Sequence, residues 1–254
     1  MGSMSPLAGL EKKLIYHPQK MPDELQLPQS SGIEDANFQS ADGTKLNGWF
    51  IDHPKRRAVA LWLHGNAGNI ASRAPTLNLL NKRHQLAVMV FDYRGYGRSE
   101  GEPSEQGILM DARAARKWLA ERTGVSEQEI VLMGRSLGGG VAVDLAAKDG
   151  ARGLVLVSTF TSLPQASQHH FPYLPASLLM TQRLDSLAKI SQYHGPLLQS
   201  HGEADKVIPY RLGKQLFDAA NEPKRLISIP GGGHNDRQPE MYRVAFDEFI
   251  DSLP

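Results

Sequence analysis

Cysteine is absent from this 254-residue chain, which excludes a disulfide framework, a thiolate nucleophile and a thiolate metal site. No stretch approaches the roughly 18 apolar residues of a membrane span. An excess of one charge is missing too. The 28 Lys and Arg balance 27 Asp and Glu for a net charge of +1, so the total encodes no strong pull toward nucleic acid or anionic lipid. H-E-x-x-H, an EF-hand loop and the Gly-Lys-Ser/Thr of a P-loop are all lacking, and Gly95-Tyr96-Gly97 has no remaining dinucleotide fingerprint around it. The sequence therefore implies no metal and no cofactor. What is present is an ordinary globular composition, 41% hydrophobic and 22% charged, long enough for one large α/β domain and without a linker between two cores.

The opening Met1-Gly2-Ser3-Met4 reads as a cloning remnant before a second start. Residues 1–13 are expected to be flexible, ahead of a single domain over 14–254. Up to Asp52 polar and apolar residues alternate loosely, with Asp42-Gly43 as a turn signal between Glu34–Phe38 and Leu46–Ile51. That predicts an antiparallel opening. From Ala58 onward, apolar runs of strand length alternate with helical patterns: Ala58–Leu63, Leu86–Phe91, Ile130–Met133, Leu154–Val157, Leu197–Ser200 and Leu226–Ile229. Such runs suit a mostly parallel central sheet with helices on both faces. Helices are predicted over Gly107–Arg122, Ser136–Lys148 and Glu240–Leu253, the last with Tyr242, Val244, Ala245, Phe246, Phe249 and Ile250 as its apolar residues. One excursion, 159–195, breaks the rhythm between the sixth and seventh strands. A connection of that length is usually functional, and it is expected to form a small cap; an ordinary surface helix with loops is the alternative.

The chemistry gathers where strands end. Ile130-Val131-Leu132-Met133 leads into Gly134-Arg135-Ser136-Leu137-Gly138, and small residues lead out. A strand turning sharply into a helix needs glycines on either side of the turn, and it lifts the Ser136 hydroxyl to a helix N-terminus, where developing negative charge is favoured. Downstream, the strand at Leu197–Ser200 empties into His201-Gly202-Glu203-Ala204-Asp205, and that at Leu226–Ile229 into Gly231-Gly232-Gly233-His234. Nucleophile, acid, base is the chain order of one class of hydrolase. Ser136 needs a base to take its proton, His234 is suited to that, and Asp205 would fix the imidazole tautomer. Glu203 and Asp236 compete for the place of the acid. Oxyanion donors are expected from the amide of Leu137 and from Asn66 or Ala67 in the loop after Ala58–Leu63. The bland reading of Ser136 is a helix N-cap. His64 and His201 read as hydrogen-bonded turn residues, His169 and His170 as solvated or packed, and Asp92 and Arg94 as braces between loops.

His64-Gly65-Asn66-Ala67-Gly68-Asn69, Asp92-Tyr93-Arg94-Gly95-Tyr96-Gly97, Gly134-Arg135-Ser136-Leu137-Gly138-Gly139 and Gly233-His234-Asn235-Asp236 together resemble the α/β-hydrolase branch that holds the bud-emergence-type serine hydrolases and the α/β-hydrolase-domain depalmitoylases. The likeness runs from about Leu14 to the C-terminus. It implies the α/β-hydrolase fold, a Ser136, Asp205, His234 triad, and hydrolysis of carboxylic or thioester bonds to acyl chains. Branch members often carry an N-terminal membrane anchor before the Ile15-Tyr16-His17-Pro18 stretch, so membrane association is expected only through a segment this chain does not contain; the compartment stays open. The depalmitoylases carry an N-terminal cysteine cluster, which this chain lacks.

The leading expectation is a serine esterase or thioesterase acting through an acyl-enzyme on a small-molecule acyl ester or lipid. Phe171, Tyr173, Leu174, Leu178 and Met180 are the expected contributors to an apolar acyl pocket. An amide-cleaving peptidase is a second reading, although such enzymes usually bring an additional gating domain. A non-catalytic binder on the same fold is a third.

Overall fold

Side chains alternate across a strand, so an unbroken apolar run feeds two cores at once. In the computed structural model, which describes residues 6–22, 32–173 and 175–254, this is what the apolar runs do. Ala58–Leu63 sends Val59, Leu61 and Leu63 to one core and Ala58, Ala60 and Trp62 to the other. Helices α3 (Glu105–Thr123), α4 (Leu137–Asp149) and α8 (Tyr210–Ala219) close the first core; α2 (Ala74–Lys82) and α9 (Glu240–Asp251) close the second.

Eight strands form the sheet: β1 Glu34–Gln39, β2 Lys45–Ile51, β3 Ala58–Leu63, β4 Leu86–Asp92, β5 Ile130–Arg135, β6 Gly153–Val157, β7 Leu197–Gly202 and β8 Lys224–Ile229. Their spatial order is β8-β7-β6-β5-β3-β4-β2-β1. The β1–β2 and β2–β4 pairs are antiparallel and the others parallel. This is the α/β-hydrolase fold. The expected hairpin turn is present: Gly43 has φ +83°, and the Thr44 amide donates to Asp42 Oδ1 at 3.2 Å. Register aligns the strand ends, pairing Leu63 with Gly134, Arg135 with Val157, Val157 with Ser200, and Gly202 with Ile229. Among the described residues no helix is long and apolar enough to cross a membrane.

Three features go beyond the sequence reading. Of the N-terminal stretch 1–13, residues 1–5 lie outside the described residues, and helix α1 (Pro6–Ile15) begins directly after them. Glu11 accepts from the backbone amides of Thr181 and Gln182 at 2.7 and 2.8 Å, so this end is tied to the long excursion. Val244 is not part of the buried stripe of α9; it lies on the outer side beside exposed Met241, because Tyr242, Ala245, Phe246, Phe249 and Ile250 already face the sheet. Strand β8, at the sheet edge, is only partly covered.

The loop after β4 braces its neighbours. Arg94 donates to Asp111 of α3 at 2.7 Å and to Asp42 of the β1–β2 turn at 2.8 Å. Tyr93 donates its hydroxyl to the His64 carbonyl at 3.2 Å, and Tyr96 donates to Asn66 Oδ1 at 2.8 Å. Beneath them Asp92 is fully buried, its Oδ1 accepting from the Ile70 amide at 3.0 Å and lying 3.6 Å from His64 Nε2. Burial raises Asp92 to about 7, against the Ile70 amide and the nearby Arg73, Lys20 and Arg98 charges. Burial lowers His64 to about 4, with the Gly65 carbonyl opposing and Arg73 adding to the fall.

The two shifts give stability slopes of opposite sign. Between about pH 4 and 7, folded Asp92 keeps a proton that the unfolded chain has lost, so stability falls as pH rises. Between about pH 4 and 6.5 the unfolded chain takes a proton that folded His64 refuses, so stability rises with pH. Asp92→Asn removes the first slope and keeps an acceptor for Ile70. The expected result is a stability gain of at most about 4 kcal/mol, read as a rise in melting temperature that is largest at pH 8 and absent near pH 4. Equal effects at both pH values would show that the carboxylate charge is not the cause.

Candidate active site

Strand β5 ends in a turn that only a few residue types tolerate. Ser136 sits at φ +52° and ψ −119°, a conformation worth about 1–3 kcal/mol of strain for a residue with a side chain. The turn is held on every side. The Ser136 amide donates to Val157 O at 3.0 Å, and the Ser136 carbonyl accepts from the Gly139 amide at 2.9 Å and from Thr159 Oγ1 at 3.0 Å. A side chain at Gly138 would collide with the Leu63 carbonyl, and one at Gly134 with the start of α4. Ser136 stands at the N-cap position of α4, yet its hydroxyl makes no capping bond. The N-cap reading therefore does not explain the residue.

The loops that carry Asp205 and His234 abut. The Ala204 amide donates to Gly232 O and the Glu203 amide to Ile229 O, both at 3.0 Å. Across this seam His234 Nδ1 lies 2.7 Å from Asp205 Oδ2. The other carboxylate oxygen, Oδ1, accepts from the amides of Val207 and Ile208, each at 2.8 Å. Burial works against the Asp205 charge, but hydrogen bonds from His201, His234 and the Ile208 amide outweigh it and hold the carboxyl well below its ordinary range. Of the rivals, Asp236 accepts from the Gly233 amide at 2.7 Å and closes the histidine turn, while Glu203 is exposed.

The loop after β3 faces the elbow, since a Cβ on Gly65 would lie 3.5 Å from Ser136 Cβ. Leu137 opens α4, where an amide has no intrahelical acceptor. Among the described residues the Asn66 amide also donates to nothing. Its side chain is occupied, accepting from the His17 amide at 3.1 Å and from Tyr96, and donating to the Ile15 carbonyl. Ala67 pairs with His17 in a two-residue parallel bridge, and its carbonyl accepts from Arg73.

The excursion 159–195 holds three short helices, α5 (Leu163–His170), α6 (Ala176–Leu179) and α7 (Leu187–Ile190). Leu184 and Phe160 pack over Gly140 at the start of α4, and His170 Nε2 donates to the Val207 carbonyl at 2.8 Å on the acid loop. Of the residues expected to line an acyl pocket, Met180 is half-buried against the core. Phe171 is 52% and Tyr173 96% exposed, so neither is enclosed. Leu174 and the Leu178 side chain lie outside the described residues. A cavity of about 390 Å³ opens between the start of α3 and Thr181–Arg183.

The sequence reading passed over three residues. His201 is not a turn residue: it closes β7, fully buried, with Nε2 2.9 Å from the Ile208 carbonyl and 3.3 Å from Asp205 Oδ2. The available signal was its place four residues before the acid, together with Gly213 on α8, where any side chain would strike its ring. Arg73 and Arg135 sit on the loops around Ser136; the sequence offered only the position of Arg135 inside the glycine-serine turn.

Residues 61–181 match the family model described as alpha/beta hydrolase fold. An uncharacterized protein of Mycobacterium tuberculosis is 38% identical, over 93% of this chain and 85% of that protein. The alpha/beta hydrolase domain-containing protein WAV2 of Arabidopsis thaliana is 33% identical, over 91% of this chain and 83% of that protein. Among solved structures, the Pyrococcus furiosus esterase Pf2001 superposes with a TM-score of 0.77 at 20% identity, covering 93% of this chain and 99% of that one. With relatives this similar along nearly its whole length, the chain belongs to the α/β-hydrolase superfamily.

Proposed function

We propose that this chain is a serine esterase that cleaves acyl esters through a covalent acyl-enzyme. The observation that carries the reading is the 2.7 Å contact of His234 Nδ1 with Asp205, on loops that meet beside the strained Ser136 turn. Asp205 fixes the imidazole with its proton on Nδ1, leaving Nε2 as the base. Ser136 Oγ attacks the ester carbonyl carbon and gives its proton to His234. The carbonyl oxygen, now an oxyanion, takes hydrogen bonds from the amides of Leu137 and Asn66, with Ala67 next in line. His234 then protonates the departing alkoxide or thiolate. A water molecule, activated by the same imidazole, releases the acid and restores Ser136.

His201 acts as a positioning residue: with the Val207 and Ile208 amides it holds the Asp205 carboxylate, whose other partner is His234. The excursion 159–195 acts as a cap, supported by the packing of Leu184 and Phe160 over the start of α4 and by the His170 contact with the acid loop. Met180 is the described member of the expected pocket that faces inward. The esterase named among the structural neighbours is consistent with this reading, as are the Acetyl Xylan Esterase 1 and ferulic acid-bound Est1E structures, whose own substrates are not carried over.

Ser136→Ala is expected to lower kcat/KM for p-nitrophenyl esters by at least about 10⁴-fold in a folded protein. Wild type run from acetate to palmitate reads the pocket length, and mass spectrometry after a fluorophosphonate should place the label on Ser136. Full turnover by Ser136→Ala would end the serine mechanism. Comparable turnover of amide and ester substrates would favour the peptidase reading.

Asp205 gives a stability test with a defined sign. Its folded pKa lies below the unfolded value of about 3.9, so its contribution is complete above that value and is lost as pH falls through the folded pKa. The stability gap between wild type and Asp205→Asn, followed by urea unfolding, should be constant from pH 5 to 8 and shrink below about pH 4. A gap that grows on acidification would contradict the hydrogen-bonded carboxylate.

A further inference from the structure

Two arginines stand at the sheet edge that carries Ser136. Arg73, which closes the short turn Ile70–Arg73 after the β3 loop, donates through Nη2 to the Ala67 carbonyl at 2.9 Å. Arg135, immediately before Ser136, donates through Nη2 to the His234 carbonyl at 2.6 Å and to Asn235 Oδ1 at 3.2 Å. One guanidinium therefore stands at the end of β5, directly before the serine, and the other on the turn after the β3 loop. Among the described residues neither forms an ion pair. Two other arginines are closely matched with acids: Arg57 with Asp247 and Asp251, Arg94 with Asp42 and Asp111.

The two nearby carboxylates touch neither guanidinium. Asp92, raised to about 7 by burial, attracts Arg73 only at a distance; its Oδ1 accepts from the Ile70 amide and its Oδ2 is buried without a partner. Asp205 is committed to His234, His201 and two backbone amides. Burial, and after it the charge of Arg73, pull Arg135 below its ordinary range, so the two guanidiniums are near enough to repel. Arg73 Nη1 and Arg135 Nε and Nη1 donate to nothing among the described residues and are not sealed from solvent; Arg73 Nε is buried without a partner. Two like charges held part-buried without a direct ion pair are costly, and an anion that accepts from both relieves that cost.

The geometry points to an anion subsite at the serine: Arg73 and Arg135 together receive a carboxylate or phosphate carried by the ester, within a few bonds of the carbonyl that Ser136 attacks. This deepens the esterase reading and rests on it. A guanidinium fork suits a planar carboxylate or a phosphate face, and lysine at the same place would supply charge without the fork.

The test compares two butyrate esters, one of neutral 4-nitrophenol and one of 3-hydroxy-4-nitrobenzoate, whose leaving group carries a carboxylate. Wild type should favour the anionic ester by about tenfold to a hundredfold in kcat/KM. The ratio should collapse toward one in Arg73→Gln and Arg135→Gln and survive in part in the lysine variants. Both esters are read in the same variant, so damage to the fold or to the histidine loop cancels from the ratio. A wild-type ratio at or below one, or a ratio unchanged in both glutamine variants, overturns the subsite. Labelling of Ser136 by a neutral fluorophosphonate separates the two readings, because a labelled enzyme with a ratio of one loses only the subsite. If a folded protein neither labels nor turns over either ester, the serine reading fails. Inorganic phosphate at matched ionic strength then decides the subsite: a Tm rise absent from Arg135→Gln supports it, and no such rise overturns it.

Discussion

Asp205 is where the two halves of the site meet. Its Oδ2 faces both His234 and His201, and its Oδ1 takes the amides of Val207 and Ile208. A buried carboxylate is costly unless its lone pairs are filled, and these donors fill them. They come from the end of β7, from the loop that follows it and from the loop after β8. The charge cannot be satisfied unless all three segments are in place. Removing one donor therefore disturbs more than one hydrogen bond: it frees a carboxylate that also holds the His234 imidazole.

The sheet supplies the precision for that arrangement. Register brings Leu63 beside Gly134 and Gly202 beside Ile229, so the loops that carry Asn66, Ser136, Asp205 and His234 all leave from one edge. Strands buried on both faces fix this edge, because every apolar residue of β3, β4 and β5 is packed against one of two cores. The strain at Ser136 persists because the surroundings over-determine the turn. Leu63, Val157 and Thr159 hold it from three directions.

The fold was legible in the sequence wherever the physics is local. Apolar runs of strand length, Asp42-Gly43 between two alternating segments, and small residues after Ser136 each carry their own structural instruction. So does the order of serine, acid and histidine, which needs only that each follow a strand. The unread parts are those that depend on tertiary contact. The burial of His201 is set by Gly213 on another element, and the outward placement of Val244 by which side of α9 meets the sheet. The N-terminal helix is likewise tied down by Thr181 and Gln182, far away in sequence. The apolar residues of the excursion misled for a related reason. Phe171 and Tyr173 have the composition of a pocket lining, but composition does not say which way a short, proline-punctuated segment turns its side chains.

A net charge of +1 conceals a local asymmetry. Acids and bases are nearly equal in number along the chain, and most buried charges are paired: Asp144 alone faces Arg113, Lys148 and Lys189. The total is balanced while one edge is not. Whole-chain charge governs solubility and nonspecific encounter, whereas recognition depends on where unmatched charge is held in partly desolvated surroundings. In this chain it is held by two arginines that grip the carbonyls of Ala67 and His234. The same guanidiniums that position backbone on either side of Ser136 are those with donors to spare, so loop placement and substrate charge are coupled through one pair of side chains.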